Sequence, residues 1–253
     1  MKRLCFFGYL GGKQFLLKHL LKLIPPHRIY CEPFGGAASL LLNKPPSEVE
    51  VYNDKCSDLV NLFLVARDSP EKLLEKFKFL VYSRKLHDEW RENLNSIKDP
   101  VERAARFFYV LRTSYAGDFN GGWKIRKSKP RNFMPKEDVL KAIHERLKNV
   151  YIECDDFTCV IPRWDSPETF FYVDPPYVDT ENNFYDLSYE EHCNLANLLN
   201  HTKGKWLLTY NDHPLVRKLY KGYKIFQVSV TANAAKVCNK KRGKITHLII
   251  KNY

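Results

Sequence analysis

The stretch Thr169-Phe170-Phe171-Tyr172-Val173-Asp174-Pro175-Pro176-Tyr177 decides how the chain is read. Residues Thr169 to Val173 are apolar, aromatic or β-branched, which predicts a strand buried within an α/β sheet. Pro175 and Pro176 cannot donate to a β-ladder, so the strand must stop there. The stop leaves the Asp174 carboxylate, the Pro175 carbonyl and the Tyr177 ring together just past the carboxyl end of a strand, where open α/β sheets bind ligands. Asp, Pro and Tyr also make ordinary tight turns, so this stretch alone leaves a plain turn open as well.

These three groups suit one chemical task. The carboxylate and the carbonyl can each accept a hydrogen bond from an NH2 group, and the Tyr177 ring can stack on the heterocycle bearing it. The amine nitrogen of such a ring, adenine N6 for example, is a poor nucleophile because its lone pair is delocalised. Two acceptors that draw its hydrogens out of plane would localise that lone pair and aim it at an electrophile.

Outward from this strand an α/β rhythm continues in both directions. Val150 to Glu153 reads as a strand ending in Cys154-Asp155-Asp156-Phe157. Ser188 with Glu191 three positions on forms a capping box for a helix from Ser188 to Leu199. Lys205 to Tyr210 is a strand, Leu215 to Tyr220 a short helix, and Tyr223 to Val230 and Lys244 to Lys251 two closing strands. Near the start, a glycine-rich loop from Gly8 to Lys13 runs into a helix from Phe15 to Leu23, and Lys13 can reach a carboxylate. The loop lacks P-loop spacing. Arg28 to Glu32 reads as a strand, followed by the small-residue turn Pro33-Phe34-Gly35-Gly36-Ala37-Ala38-Ser39 and a helix over Leu40 to Asn43. That is the opening of a nucleotide-binding half-unit, although without GxGxxG. Val49 to Tyr52 is a second strand, and Asp54 at its tip stands where a ribose-hydroxyl acceptor is usual; it can equally cap the helix from Ser57 to Ala66.

Residues 69–149 break this rhythm with helical patterns over Pro70 to Leu80, Lys85 to Leu94 and Pro100 to Arg112, the last capped by Asp99 with Pro100 at its first position. A glycine-rich basic loop follows: Gly117, Gly121 and Gly122 precede Trp123, and Lys124, Arg126, Lys127, Lys129 and Arg131 come after it with no acid among them. Such a loop suits contacts to a phosphate backbone, or is simply solvated surface. The whole chain points the same way, since 41 Lys and Arg exceed 29 Asp and Glu by 12 in 253 residues. That excess favours a polyanionic partner. Hydrophobic residues at 44% allow a sizeable core. The seven cysteines form no CxxC pair, which argues for reduced thiols and against a zinc site. No stretch approaches the ~18 apolar residues of a membrane span, and the start lacks a signal-peptide pattern, so a cytoplasmic, nucleoid-associated setting is expected.

The order of these motifs resembles the Dam-like class, alpha subgroup, of S-adenosylmethionine-dependent DNA adenine-N6 methyltransferases, over almost the whole chain. Tyr9-Leu10-Gly11-Gly12-Lys13 looks like that family's N-terminal motif, Glu32-Pro33-Phe34-Gly35-Gly36-Ala37 like its cofactor turn, and Asp54 like its ribose acceptor. Asp156-Phe157 matches the pair that holds the cofactor's adenine, and Asp174 to Tyr177 the catalytic motif. The helix containing Ala104 to Tyr109, with Arg112 at its end, and Phe119-Asn120 beyond it resemble the inserted target-recognition region. The resemblance implies a Rossmann-like class I methyltransferase sheet with helices on both faces, formed by residues 1–68 and 150–253, with 69–149 inserted. It implies S-adenosylmethionine as cofactor and double-stranded DNA as partner, with Arg112, Asn120, Trp123 and the basic residues to Arg131 on the DNA side. It also implies catalysis without metal, a flipped-out target adenine, a monomeric enzyme, and a cognate restriction endonuclease as a candidate partner. Three features depart from the pattern. Asp155 directly precedes Asp156, the last strand reads Ile245-Thr246-His247-Leu248 where relatives more often carry Glu-Leu, and the loop around Trp123 does not imply GATC specificity.

Overall fold

The computed structural model describes residues 3–9, 11–125, 134–180, 184–231 and 244–253. Arg126, Lys127, Lys129 and Arg131, and Leu10 of the N-terminal motif, lie outside these. Seven strands form one sheet: β1 (Ile29–Glu32), β2 (Val49–Asn53), β3 (Val150–Glu153), β4 (Thr169–Val173), β5 (Lys205–Asn211), β6 (Lys224–Thr231) and β7 (Lys244–Lys251). Their order is β3-β2-β1-β4-β5-β7-β6. The first five are parallel, and β7 runs antiparallel to both β5 and β6. The chain winds outward from β1 to β3 on one side and from β4 onward on the other. The switch point between β1 and β4 therefore opens a crevice at their carboxyl ends.

Nine α-helices accompany the sheet among the described residues: α1 (Leu17–Leu20), α2 (Ser57–Asp68), α3 (Pro70–Phe77), α4 (Arg84–Asn93), α5 (Pro100–Thr113), α6 (Glu137–Leu147), α7 (Phe157–Trp164), α8 (Tyr189–His201) and α9 (Pro214–Leu219). Both faces of the sheet are covered, which is why its central strands carry continuous apolar runs. One face, with Tyr30, Tyr52, Phe170, Tyr172, Leu207 and Ile249, shares a core with the N-terminal segment, α2, α5 and α6. The other, with Val51, Phe171, Val173, Trp206 and Leu248, packs against α7, α8 and α9. Removing a buried aromatic such as Trp206 would cost about 3–5 kcal/mol; its indole N–H is satisfied by the Leu199 carbonyl at 2.9 Å.

The seven-strand sheet with helices on both faces agrees with the expected methyltransferase fold, and the strand limits agree to within a residue or two. Both predicted caps are present: Asp99 accepts from the Val101 and Glu102 amides, and Ser188 and Glu191 form the capping box of α8. Two local expectations fail, and two helices were not anticipated. The helix over Phe15 to Leu23 is broken into α1 flanked by 3-10 turns, because it is short and runs into Pro25-Pro26. Leu40 to Asn43 form turns and no α-helix, since Ala38 takes a left-handed φ of 51° and Pro45-Pro46 follow closely. The turn is held instead by a buried ion cluster. Lys44 and Arg146 both bind Glu50 of β2, and Arg146 also donates to the Leu41 carbonyl at 2.6 Å. Finally, α6 and α7 were not anticipated. The apolar stripe of α6 (Leu140, Ile143, Leu147) follows the basic loop directly, and α7 hides behind an internal Pro162.

The residues 69–149 do not form a separate core. Leu73, Ala104, Phe107, Phe108, Leu140 and Ile143 join the same buried cluster as Tyr52 and Phe63. Gly117 seals the junction: its φ is +72°, and a Cβ there would stand 2.3 Å from the Gly8 carbonyl oxygen. Among the described residues no helix is long and apolar enough to cross a membrane, and no cluster of three metal-ligating side chains occurs.

Candidate active site

A cavity of about 340 Å3 lies at the carboxyl ends of β1, β2 and β4. Its floor is built by turns. After β1, Phe34, Gly35 and Gly36 pass so close to Tyr52 that a Cβ on Gly35 would fall 2.2 Å from that ring. The Gly35 amide donates to the Asn53 carbonyl at 2.7 Å, and the Asn53 side chain bonds Pro33 and Asp155, stitching together the ends of β1, β2 and β3. Asp54 is buried at 3% exposure yet lines the cavity. It accepts from the Gly36 and Cys56 amides, each at 2.9 Å, and from the Tyr185 hydroxyl. Burial pushes its carboxyl up to about 6, with those three donors pulling the other way.

Asp174 and Asp54 face the same cavity from strands two apart, about 10 Å of sheet. The Asp174 side chain is 17% exposed. Its Oδ1 binds the Lys13 ammonium at 2.7 Å and accepts from the Thr209 hydroxyl at 2.7 Å, which leaves Oδ2 as the remaining acceptor. Burial raises the Asp174 carboxyl, opposed by the Lys13 charge and the Thr209 hydrogen bond. Lys13 donates as well to the Gly11 carbonyl at 2.7 Å and lies 4.6 Å from the centre of the Tyr177 ring. Tyr177 is held at its hydroxyl by His247 Nδ1 at 3.0 Å and packs against Tyr210. Tyr9 roofs the cavity, stacked on Phe184, which in turn touches Phe107 of α5 and Phe119 beyond it.

The predicted residues Tyr9, Gly12, Lys13, Phe34, Gly35, Asp54, Asp174, Pro175, Pro176 and Tyr177 all line this one cavity. Three others stand behind it. Glu32 is buried under the turn, accepting from Tyr30 and the Leu41 amide, and burial pushes its carboxyl up to about 8 against those bonds. Asp156 caps α7 through the Thr158 amide at 3.0 Å and meets Lys55 at 3.1 Å. Phe157 is buried against Phe34, ring centres 5.3 Å apart. Asp155 points away to Arg163 at 2.8 Å. Of the residues expected to contact DNA, Asn120 is exposed and Arg112 is half-buried at the end of α5. Trp123 packs on Tyr82 and His87, and Lys124 donates its amide to the Thr113 carbonyl, so this part of the loop is tied to the helices. Thr209, Tyr185, Phe184 and Tyr172 also line or support the cavity and were not singled out. An aromatic pair such as Phe184-Tyr185 in a polar loop was a usable signal, whereas a threonine inside a strand was none.

Comparison with known proteins fits this geometry. The family model for D12 class N6 adenine-specific DNA methyltransferases matches residues 9–233. The chain is 30% identical to the Type II methyltransferase M1.LlaDCHI of Lactococcus lactis subsp. cremoris, covering 98% of this chain and 95% of that protein. It is 28% identical to the Type II methyltransferase M.CviBI of Paramecium bursaria Chlorella virus NC1A, over 96% and 97% of the two chains. Identity with the DNA adenine methylase of Escherichia coli (strain K12) is 26%, over 90% and 88%. With a crevice at the switch point, Asp174-Pro175-Pro176-Tyr177 on its rim and this extent of similarity, the chain belongs to the D12 class of N6 adenine-specific DNA methyltransferases, enzymes that methylate adenine in DNA.

Proposed function

We propose that the cavity binds S-adenosylmethionine and an adenine flipped out of duplex DNA, and brings the two into line. One geometric observation carries this: a single cavity has Asp54 on one side and the Asp174 motif on the other, two strands apart. The residues present suit the cofactor. Asp54 is a buried acceptor for ribose hydroxyls, the Gly35-Gly36 turn lets backbone approach closely, and Tyr9 and Phe34 offer apolar faces to a purine or a thioether. Glu32 and the Asp156-Phe157 pair support that side from behind, through the turn and through Phe34.

When bound, S-adenosylmethionine would supply a sulfonium methyl to the N6 lone pair, the C–S electron pair returning to sulfur and the N6 proton passing to solvent. The chain's own contribution is positioning and electrostatics. Asp174 Oδ2 and the Pro175 carbonyl accept the N6 hydrogens, and Tyr177 stacks on the base. Stacking offsets part of the few kcal/mol that extrusion costs. Lys13 and Thr209 oppose the burial that raises the Asp174 carboxyl, favouring its ionised, acceptor form. Residues 69–149 act as the target-recognition region, with Asn120 and Lys124 beside Arg126, Lys127, Lys129 and Arg131 on the DNA. We further propose a cytoplasmic monomer acting beside a cognate restriction endonuclease, in keeping with the Type II names of two relatives.

The test uses purified protein, S-adenosylmethionine and unmethylated genomic DNA, read as nucleosides by mass spectrometry, with cofactor binding measured by calorimetry. N6-methyladenine together with a bound cofactor is expected, and Tyr177→Ala should raise KM for DNA and lower kcat while cofactor affinity holds. Full activity of Tyr177→Ala would overturn the stacking role.

A further inference from the structure

We propose that His247 is a positioning residue for the target base, holding the Tyr177 hydroxyl and thereby fixing the plane of the ring on which the adenine stacks. The proposal rests on the reading of Tyr177 as the stacking platform.

Register brings the two residues together. His247 of β7 pairs with Asn211 at the carboxyl end of β5 and with Val228 of β6, so an antiparallel strand delivers its side chain to the rim where the parallel strands end. Alternation along β7 turns His247 to the same face as Ile249, the face carrying Tyr172 and the N-terminal segment. There its Nδ1 meets the Tyr177 hydroxyl at 3.0 Å, its ring lies 5.2 Å from Phe15, and it lines the cavity. The imidazole is only 6% exposed, and its Nε2 is buried with no hydrogen-bond partner among the described residues.

That orphan nitrogen is informative. A buried polar atom without a partner is unfavourable, and an apolar side chain of similar size would pack between Phe15 and Tyr177 without that cost. What the imidazole adds is the bond to Tyr177. A tyrosine in a cavity mouth is otherwise free to rotate about two side-chain bonds. Here the hydroxyl is fixed by His247 from β7 and by Thr209 from β5, one neighbouring ring is Tyr210, and Lys13 stands over the ring. Burial and the nearby Lys13 charge lower the imidazole's pKa to about 4, so the ring is neutral at working pH and adds no positive charge beside the site of methyl transfer.

The test is a double-mutant cycle on the full-length enzyme, with His247→Phe, Tyr177→Phe and the pair. Steady-state kinetics on unmethylated genomic DNA are read beside thermal unfolding and S-adenosylmethionine calorimetry. His247→Phe should lower kcat about tenfold while cofactor affinity is unchanged and the unfolding midpoint is equal or higher. Tyr177→Phe, which also gives up the bond to the Thr209 hydroxyl, should lose at least as much, and the double variant no more than Tyr177→Phe, because the bond to His247 is already gone. His247→Gln, which can still bond the hydroxyl, should recover part of the loss. Once the recognition site is mapped, 2-aminopurine at the target position should give a weaker extrusion signal with His247→Phe. Wild-type kcat in His247→Phe, or losses that multiply in the double variant, would overturn the proposal. If Tyr177→Ala is impaired while His247→Phe is fully active, only this inference falls; if Tyr177→Ala is itself fully active, the stacking reading falls with it.

Discussion

Asp54 and Asp174 face one cavity and are held in opposite ways. Asp54 is surrounded by neutral donors, two backbone amides and the Tyr185 hydroxyl. Asp174 has a full positive charge on it, Lys13 at 2.7 Å, with one hydroxyl from Thr209. Burial opposes ionisation in both. Dipoles alone leave Asp54 titrating at about 6, a site whose acceptor strength follows pH and which suits neutral hydroxyls. At Asp174 burial still raises the carboxyl, but a resident cation opposes it and favours the ionised form, the form that accepts from an amine. The contrast separates a carboxylate held by dipoles from one held by a charge, and it can be broken at either end.

The largest effect is expected at Asp174. Asp174→Ala should lower methyl transfer about 10^3-fold in single-turnover assays, the scale of losing one preorganised electrostatic contact. It should also leave the Lys13 ammonium unpaired, so a charge-neutral control, Lys13→Met with Asp174→Ala, separates lost chemistry from lost stability. Cofactor affinity within a few-fold of wild type in both variants would place the defect in the chemical step. Near-normal turnover would dissolve the contrast altogether.

Lys13→Met sharpens it. Removing the ammonium should raise the Asp174 carboxyl further, so the acid limb of kcat against pH should move to higher pH, with activity at neutral pH reduced about tenfold. An unchanged acid limb would mean that Thr209 and the cavity, and not Lys13, set the state of Asp174.

At the other end, Asp54→Asn should weaken S-adenosylmethionine binding about 10–100-fold while kcat at saturation is largely kept, a hydrogen bond to a charged group being worth about 1.5–3 kcal/mol. Two pH trends follow from the raised carboxyl, with opposite signs. Cofactor affinity of the wild type should fall as pH drops through about 6 and Asp54 takes up a proton. Stability without ligand runs the other way. A carboxyl raised from its ordinary value near 4 stabilises the folded chain when protonated, and that contribution is lost as pH rises through about 6. Calorimetric titration and thermal unfolding from pH 4 to 8 should show both trends in the wild type; in Asp54→Asn the affinity trend should be lost and the stability trend reduced, the remainder coming from the raised carboxyls of Glu32 and Asp174.

Much of this arrangement was legible in the chain because it is local. A buried aromatic strand stopped by Pro175-Pro176 has to leave Asp174 at a strand end, and a small-residue turn after β1 followed by an acid at the tip of β2 places Asp54. Lys13 was expected to reach a carboxylate and does. What was hidden depends on pairs far apart in sequence. Thr209 reaches Asp174 across β4 and β5, Tyr185 reaches Asp54 from a loop, and His247 reaches Tyr177 only because β7 inserts antiparallel beside β5. The helix expected at Leu40 to Asn43 fails for a related reason. Its residues favour a helix, but the buried Lys44–Glu50–Arg146 cluster and the left-handed Ala38 fix a different path.

The smallest predicted effect concerns Asp155 and Asp156, which the sequence left side by side. Asp155 forms a surface pair with Arg163, and such pairs contribute little; Asp155→Ala should change neither cofactor affinity nor unfolding. Asp156 caps α7, and its loss should cost about 1 kcal/mol. Capping and ligand contact are separable here, because serine caps a helix as well as aspartate but is too short to reach beyond it. Asp156→Ser should therefore unfold like the wild type. If its side chain also accepts from the cofactor's adenine amine, calorimetry of Asp156→Ser will show affinity down by about tenfold with the unfolding midpoint intact. Unchanged affinity would confine Asp156 to the cap and leave the purine to Phe34, which Phe157 braces from behind.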